Sequence, residues 1–252
     1  MKVEGNTILI TGGATGIGLA LTESFLKQGN DVIICGRRKE RLIEVQKMHP
    51  DLHIVECDVS DEDDRNHLFK YVTENFNGIN VLVNNAGIQR AIDLKDGIKG
   101  LEGENEIKIN FEVPIYLSAL FIPFLESKEE SAIINISSGL AITPLAAVPV
   151  YCATKAGVHT FTKCLRLQLS DTNIKVFEVL PPIVISELNI EYREKIGTTN
   201  VGIKADKCAA AIIEGLEKDN FEIENPALEK LKTATRKDFD RLFENMNSHD
   251  FD

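Results

Sequence analysis

One stretch near the start of the chain decides the fold: residues 7–18, which read TILITGGATGIG. Thr7–Ile10 is the apolar run of a short strand, and Ile17, Leu21 and Phe25 follow at the four-residue spacing of a helix. Glycines between a strand and a helix let the backbone adopt positive φ and approach a phosphate. The helix directs its amino-terminal N–H groups and positive dipole end at that anion. We expect a dinucleotide pyrophosphate to bind here; the alternative is a tight turn with a purely structural role.

Apolar runs separated by amphipathic stretches recur along the chain, at residues 31–35, 53–57, 81–84, 132–137 and 174–180. The runs are continuously apolar rather than alternating, as in parallel strands that are covered on both faces. This succession predicts an α/β fold, a doubly wound parallel sheet of Rossmann-like type in a single domain over residues 1–252. In such sheets ligands bind beyond the carboxyl ends of the strands.

Four further segments complete the predicted architecture. A long helix is expected over residues 104–125. The segment at about 183–204 lacks clear periodicity and is the expected substrate loop and the most mobile region. Residues 221–223 predict a last edge strand. Residues 226–245 predict a closing amphipathic helix, with Pro226 in its first turn.

The composition limits the partners and the compartment. The 252 residues include 43% hydrophobic and 27% charged side chains, with a net charge of −11. This profile is typical of globular chains and lacks the basic surplus of duplex-binding proteins. The five cysteines form no C-x-x-C pair, no signal sequence or long apolar span is evident, and the histidines show no metal-ligand spacing. We therefore expect a cytoplasmic protein with no metal site and with neither nucleic acid nor membrane as a partner.

The residues after the second apolar run bear on the choice of cofactor. A dinucleotide fold usually places a carboxylate about 20 residues beyond the glycines, where it binds the ribose 2′-hydroxyl. This chain has Gly36, Arg37 and Arg38 at that point. An arginine can pair with a 2′-phosphate through a planar, bidentate contact. Arg37 therefore favours NADP(H), with NAD(H) possible; the alternative is a solvated basic start to the next helix.

A candidate acid–base pair is formed by Tyr151 and Lys155, which lie four residues apart on one helical face. A free tyrosine has a pKa of about 10, and a neighbouring ammonium favours the phenolate. We expect Lys155 to lower the pKa of Tyr151, which makes the phenol a proton donor and acceptor. Taken alone, this spacing also occurs by chance in many helices.

Two polar residues accompany the pair. Ser138 follows an apolar run 13 residues before Tyr151, so its hydroxyl can donate a hydrogen bond to a substrate oxygen. Ser137 is a competing candidate for that role. Asn110 lies within a predicted helix, where it is either an exposed amide or a group that holds a water beside Lys155.

Together these motifs resemble the short-chain dehydrogenase/reductase family, in its main branch of about 250 residues. The resemblance rests on the order and spacing of Thr11-Gly12, Gly16-Ile17-Gly18, Asp58-Val59, Asn84-Asn85-Ala86-Gly87, Asn110, Ser138, Tyr151, Lys155 and Pro181. It implies a catalytic tetrad of Asn110, Ser138, Tyr151 and Lys155. Tyr151 would be the acid in reduction and the base in oxidation, and Ser138 would orient the substrate oxygen. Lys155 would bind the nicotinamide ribose, and Asn110 would position a relay water.

The resemblance also implies the contacts to the dinucleotide. They would come from Gly12, Thr15, Gly16, Ile17, Gly18, Arg37, Asp58, Val59, Asn85, Ala86, Gly87, Tyr151, Lys155, Pro181, Val184 and Ser186. The chain departs from the family pattern at Pro182, where glycine is usual and where proline removes a backbone donor and fixes φ. We expect the carboxamide contacts near Val184 and Ser186 to survive through backbone groups. Within the family, the chain is similar to the DltE-like subgroup, a label that identifies no substrate.

The resemblance implies an enzyme, an oxidoreductase that transfers a hydride between NADP(H) and a small alcohol or carbonyl substrate. One alternative is a non-catalytic dinucleotide-binding sensor or interaction protein with the same fold. Another is a dehydratase or epimerase, although relatives with that chemistry are usually longer. The family also implies a homodimer or homotetramer, formed through the helices at 104–125 and 151–169, whose apolar surface exceeds what one sheet face needs.

Overall fold

A parallel β-sheet forms the centre of the structure, which is a computed structural model that describes residues 1–76, 78–224, 228 and 236–247. The described strands are β1 (Thr7–Thr11), β2 (Asp31–Gly36), β3 (His53–Glu56), β4 (Ile79–Asn84), β5 (Ser131–Ile136), β6 (Ile174–Leu180), β7 (Val184–Ile185), β8 (Ile203–Lys204) and β9 (Glu222–Glu224). Within the described residues, the main sheet has seven strands in the order β3-β2-β1-β4-β5-β6-β9. Every pairing in it is parallel.

Helices follow the strands and cover both faces of the sheet. They are α1 (Gly16–Lys27), α2 (Lys39–Met48), α3 (Glu62–Asn75), α4 (Val113–Leu125), α5 (Pro149–Gln168), α6 (Ile190–Lys195), α7 (Ala205–Glu217) and α8 (Arg236–Asn247). The predicted α/β doubly wound sheet is therefore confirmed, as is the last edge strand, which is β9 paired with β6. The strand order reverses between β1 and β4, so a crevice opens beyond their carboxyl ends.

Alternation along the central strands builds two hydrophobic cores. Ile8 and Ile10 of β1 pack in the cluster that includes Phe25 of α1. Leu9, between them in sequence, packs in the second cluster, which includes Phe121 of α4. Successive side chains of a strand point to opposite faces, so one apolar run contributes to both cores. This is why the strand runs are continuously apolar in the sequence.

The predicted long helix at 104–125 is not regular. A π-helical turn, Lys108–Glu112, precedes α4 and contains Asn110. By length and hydropathy, the whole stretch Lys108–Leu125 could also cross a membrane, which the sequence analysis did not recognise. In the structure Leu117, Phe121 and Leu125 are fully buried against the sheet, and this packing accounts for the apolar character of α4.

The predicted substrate loop has more regular structure than its sequence suggested. It contains α6 and the two-stranded parallel pair β7–β8. Arg193, which is buried, donates hydrogen bonds to the carbonyl oxygens of Val184, Thr198, Thr199 and Val201. One guanidinium therefore organises the loop, and this kind of order leaves no periodic pattern in the sequence.

The predicted closing helix at 226–245 lies partly outside the described residues. Within them, α8 runs from Arg236 to Asn247. The side chain of Asn247 accepts a hydrogen bond from the backbone N–H of Ala146 and donates one to the carbonyl oxygen of Pro144. The described end of the chain therefore contacts the loop that precedes α5.

Candidate active site

A cleft of about 670 Å³ lies at the carboxyl edge of the sheet, around the ends of β1 and β4. Its volume is in the range of small-molecule sites. Most of the residues predicted for the site line it: Gly12, Thr15, Gly16, Ile17, Arg37, Asp58, Val59, Asn85, Ala86, Gly87, Tyr151, Lys155, Pro181 and Ser186. Gly18, Asn110, Ser138 and Val184 lie behind this surface, and Ser137 is part of it.

The glycine turn is shaped to approach an anion. Gly12 and Gly16 have φ of +66° and +55°, values that L side chains rarely adopt. Thr15 caps α1, but its side chain accepts no hydrogen bond from the helix backbone, so the first N–H groups of the helix remain available to a ligand. A Cβ on Gly18 would lie 2.3 Å from the carbonyl oxygen of Gly12, so only glycine allows the turn to close. These features fit a dinucleotide pyrophosphate.

Hydrogen bonds join the glycine turn to the end of β4. The hydroxyl oxygen of Thr11 accepts from the backbone N–H groups of Asn85 and Ala86, at 3.0 Å each. The Asn85 side chain donates to the carbonyl oxygens of Thr11 and Gly12, at 2.9 and 3.2 Å. The floor of the cleft is therefore one hydrogen-bonded unit built from two strand ends.

Tyr151 lies at the inner end of the cleft, near the start of α5. Burial raises the pKa of Tyr151 to about 12, and a hydrogen bond with the Ser138 hydroxyl opposes this rise. The expected lowering of this pKa by Lys155 is therefore not found, because the loss of hydration outweighs the favourable interactions. The contact with Tyr151 distinguishes Ser138 from its neighbour Ser137, whose hydroxyl oxygen accepts the N–H of Ser138 at 2.6 Å.

Lys155 lies beside the tyrosine and is itself buried. Its Nζ donates to the carbonyl oxygen of Ile136 at 2.8 Å and lies 5.7 Å from the centroid of the Tyr151 ring. Burial lowers the pKa of Lys155 to about 8. A Cβ on Gly87 would lie 3.6 Å from this Nζ and 3.2 Å from Oδ1 of Asn110, so Gly87 borders both groups.

The side chain of Asn110 forms hydrogen bonds with the backbone of the segment that follows β4. Its Oδ1 accepts from the N–H of Ile88 at 2.8 Å, and its Nδ2 donates to the carbonyl oxygen of the same residue at 2.7 Å. A further hydrogen bond, at 3.3 Å, joins Nδ2 to the hydroxyl of Thr154. Both amide hydrogens are therefore used by protein groups. The side chain can offer a water only the second lone pair of Oδ1, which differs from the expected water-holding amide.

Glu106 is a buried acidic residue of the site that the sequence analysis missed. It lies four residues before Asn110, and its Oε1 accepts from the N–H of Arg90 at 3.1 Å. Its Oε2 is buried and has no hydrogen-bond partner among the described residues. Burial raises the pKa of Glu106, and its charge contributes to the raised pKa of Tyr151. The four-residue spacing from Asn110 was the signal that could have identified it.

Two more carboxylates, which the sequence analysis also missed, lie beside the arginines after β2. Arg37 Nη1 lies 2.5 Å from Oε1 of Glu104. Glu187 bridges Arg38 and Arg41, at 3.0 and 2.9 Å. Both carboxylates line the cleft. They are far from the arginines in sequence, so no local pattern could have identified these pairs.

The segment with the unusual Pro182 still reaches the cleft. The carbonyl oxygen of the preceding residue, Pro181, accepts a hydrogen bond from the N–H of Gly139 at 3.0 Å. Val184 is buried in β7, whereas Ser186 lines the cleft opposite Gly16. The structure therefore places Ser186 where a ligand can touch it and shows Val184 in a packing position.

Comparisons with known proteins agree with this geometry. A family model described as short chain dehydrogenase matches residues 6–197. A Bacillus subtilis protein described as uncharacterized oxidoreductase DltE is 47% identical over 252 residues, which cover 99% of this chain and 100% of that protein. A short-chain dehydrogenase from Burkholderia cenocepacia in complex with NADP is 25% identical, with a TM-score of 0.79 over 98% of this chain and 99% of the other. One from Burkholderia phymatum in complex with NAD shares the fold at 17% identity, with a TM-score of 0.83 over 96% of each chain.

We expect Gly18→Ala to lower both the stability of the fold and the affinity for a dinucleotide, because the added Cβ would force the glycine turn apart. Overpacking of this kind costs about 1–3 kcal/mol. Thermal unfolding and titration calorimetry with a dinucleotide would measure the two effects. Gly36→Ala is the control for stability, since its Cβ would meet nothing closer than 4.0 Å. Equal stability of the two variants would contradict the packing argument.

Proposed function

Because this chain belongs to the short-chain dehydrogenase family and is an NAD(P)-dependent dehydrogenase or reductase, we propose that it transfers a hydride between NADP(H) and a small alcohol or carbonyl substrate, with Tyr151 as general acid and base. The observation that carries the proposal is the position of Tyr151 and Lys155 at the inner end of a cleft that begins at the glycine turn, with the Ser138 hydroxyl in hydrogen-bond contact with Tyr151 just behind its surface.

The residues around the cleft fit a dinucleotide. Gly12, Gly16 and the N-terminus of α1 would hold the pyrophosphate, and Asp58 with Val59 would meet the adenine. Asn85, Ala86 and Gly87 would border the nicotinamide half. Lys155 would bind the nicotinamide ribose, and Pro181 and Ser186, together with the backbone of Val184, would lie at the carboxamide. The bound cofactor supplies the hydride in reduction and accepts it in oxidation.

Tyr151 is suited to the proton transfer of a carbonyl reduction. Because burial raises the pKa of Tyr151 to about 12, the phenol carries its proton at neutral pH. We assign it the donation of that proton to the oxygen of the carbonyl group as negative charge develops there. Ser138, in hydrogen-bond contact with Tyr151, would donate to the same oxygen and fix its position. In oxidation the phenolate would take the proton back from the alcohol.

Lys155 would stabilise the phenolate that this transfer leaves behind. Its ammonium lies over the tyrosine ring in a buried region, where Coulomb attraction is stronger than in water. Asn110 would act as a positioning residue, since its amide holds both backbone groups of Ile88 at the edge of the cleft. A water on its free lone pair would connect Lys155 with solvent.

The preference for NADP(H) rests on the residues after β2. Arg37 and Arg38 line the cleft together with Thr15, and Arg38 donates to the Thr15 hydroxyl at 3.4 Å. The Arg38 guanidinium therefore lies beside the glycine turn, and Arg37 lines the same cleft, so a 2′-phosphate bound there would form charge-assisted hydrogen bonds. NAD(H) would use the same cleft without these contacts.

The substrate side of the cleft favours a small or medium-sized, partly apolar compound. Its walls come from the loop after β4 and from the segment before α6, which contribute Ile88, Gln89, Leu188, Asn189 and Ile190. The side chains of Asn189 and Gln89 join the two walls through a hydrogen bond of 3.4 Å. These residues offer apolar surface with a few amide groups, as a neutral carbonyl compound would require.

We also propose a cytoplasmic homodimer or homotetramer that has neither nucleic acid nor membrane as a partner. The assembly is supported by large apolar side chains that remain exposed between the residue before the π-helical turn and the end of α5, among them Ile107 at 50%, Tyr116 at 56% and Leu167 at 77%. A second copy of this chain would bury such a surface.

Tyr151→Phe tests the catalytic assignment. It removes the proton donor and keeps the ring, so we expect turnover of a small carbonyl substrate to fall about 10²- to 10⁴-fold. The dissociation constant for NADPH should stay within about twofold, because only one ring hydroxyl is lost. Tyr71→Phe, on the exposed side of α3, is the matched control. Wild-type turnover in Tyr151→Phe would contradict the assignment. A wild-type protein that binds NADPH but reduces no carbonyl compound would instead favour the function of a dinucleotide sensor.

The pKa of Lys155 predicts a pH dependence. The ammonium form, whose pKa is lowered to about 8 by burial, is present below that pH and lost above it. We therefore expect kcat/KM for reduction to fall as the pH rises through about 8, since this parameter reports the free enzyme. Tyr151, with a pKa of about 12, keeps its proton over this range. Lys155→Arg retains the positive charge and should move the fall of kcat/KM to higher pH. If kcat/KM of this variant falls at the same pH as that of wild type, the titrating group is not Lys155.

Arg37→Ala tests the cofactor preference. The loss of one guanidinium should weaken the binding of NADPH about tenfold or more, in line with the energy of a charge-assisted hydrogen bond. The binding of NADH, which has no 2′-phosphate, should change little. Calorimetric titration of both cofactors into wild type and variant measures the difference. Equal losses for the two cofactors would remove the argument for the 2′-phosphate.

A further inference from the structure

The arginines proposed to bind the 2′-phosphate are already engaged by carboxylates of this chain. Glu104, which precedes the π-helical turn, lies 2.5 Å from Arg37. Glu187, in the substrate loop, lies 3.0 Å from Arg38 and 2.9 Å from Arg41. The two carboxylates reach the end of β2 from two different loops, one on each side of the cleft.

The charges that line the cleft are balanced. Its cationic residues are Arg37, Arg38, Arg90 and Lys155, and its carboxylates are Asp58, Glu104, Glu187 and Glu191. A site that attracts a phosphate dianion by charge alone would carry an excess of cations. Here the arginines at the end of β2 are already paired with carboxylates. The electrostatic attraction that they exert on a phosphate is therefore weaker than that of two unpaired guanidinium groups.

A 2′-phosphate and these carboxylates would compete for the same donors. A guanidinium offers planar pairs of N–H groups, which a carboxylate and a phosphate use in the same way. Two like-charged groups at hydrogen-bond distance from one guanidinium also repel each other. The phosphate must therefore displace Glu104 and Glu187 or bind beside them against repulsion. NADH has a neutral hydroxyl at this position and experiences neither effect.

We propose that Glu104 and Glu187 are specificity-determining residues that lower the preference for NADP(H) by competing with the 2′-phosphate for Arg37 and Arg38. The proposal rests on the proposed use of those arginines for NADP(H). It adds that the arginines alone do not set the selectivity, because the two carboxylates oppose them. The ratio of NADPH to NADH affinity then depends on both the arginines and the carboxylates. Replacement of one carboxylate by an uncharged side chain should change this ratio.

Glu104→Gln is the first test, since glutamine keeps the shape of the side chain and removes the charge. Titration calorimetry at low ionic strength should show the dissociation constant for NADPH falling about two- to fivefold, the range of an exposed ion pair. The constant for NADH should change by less than about twofold. Glu187→Gln should act in the same direction, and the double variant should exceed either. Because both pairs are exposed, the gain should shrink as salt is added.

Matched controls separate this effect from a general change of charge. Glu102→Gln alters the same loop two residues earlier, and Glu194→Gln alters α6. Both side chains are exposed and form no ion pair within the described part of the chain. Neither control should change the ratio of NADPH to NADH affinity. Thermal unfolding of all variants establishes that the fold is retained.

The outcomes separate this proposal from the function on which it rests. If Arg37→Ala selectively weakens NADPH but Glu104→Gln and Glu187→Gln leave the affinity ratio at its wild-type value, the competition proposal is overturned and the cofactor assignment stands. A gain that is equal for NADPH and NADH, or equal to that of the controls, also overturns it. If wild type binds neither cofactor, or Arg37→Ala weakens both equally, the proposed function fails first and this inference fails with it.

Discussion

The turn between β1 and α1 packs so closely on itself and on the end of β4 that Gly18 has no room for a side chain and Gly12 has little. A Cβ on Gly18 would lie 2.3 Å from a backbone oxygen, and one on Gly12 would lie 3.1 Å from Cα of Ala86. Hydrogen bonds between Thr11 and Asn85 then lock the two strand ends together. Because β1 and β4 are neighbours where the strand order reverses, this contact fixes the crevice to which the other groups of the site are attached.

Burial, more than the pairing of charges, governs the chemistry at the inner end of the crevice. It raises the pKa of Tyr151 and lowers that of Lys155, because both shifts favour the uncharged form of a group that has lost its water. The consequence is a phenol that keeps its proton at neutral pH. The ammonium beside it loses its proton within about one unit of neutrality. Glu106 acts in the same direction on Tyr151, since a buried negative charge opposes the formation of a second one.

At the outer end of the crevice the charges are exposed, and their effect depends on which partners the fold brings to them. Arg37 and Glu104 come from segments far apart in sequence, as do Arg38 and Glu187. The energy of each pair is small, since both members are hydrated. Small terms still matter for the discrimination of two cofactors that differ by one phosphate, because only the difference in binding free energy decides the preference.

The sequence by itself determined the doubly wound sheet, the position of the glycine turn and the grouping of Tyr151 with Lys155, because strand runs, glycine positions and helical spacing are local properties of the chain. It also determined that Ser138 and Asn110 lie near this pair, through the resemblance carried by their order. Only the tertiary structure decided the protonation tendencies of Tyr151 and Lys155, the carboxylate partners of the arginines and the order in the substrate loop. These depend on burial and on contacts between residues distant in sequence, and the neighbours of a residue in the chain specify neither.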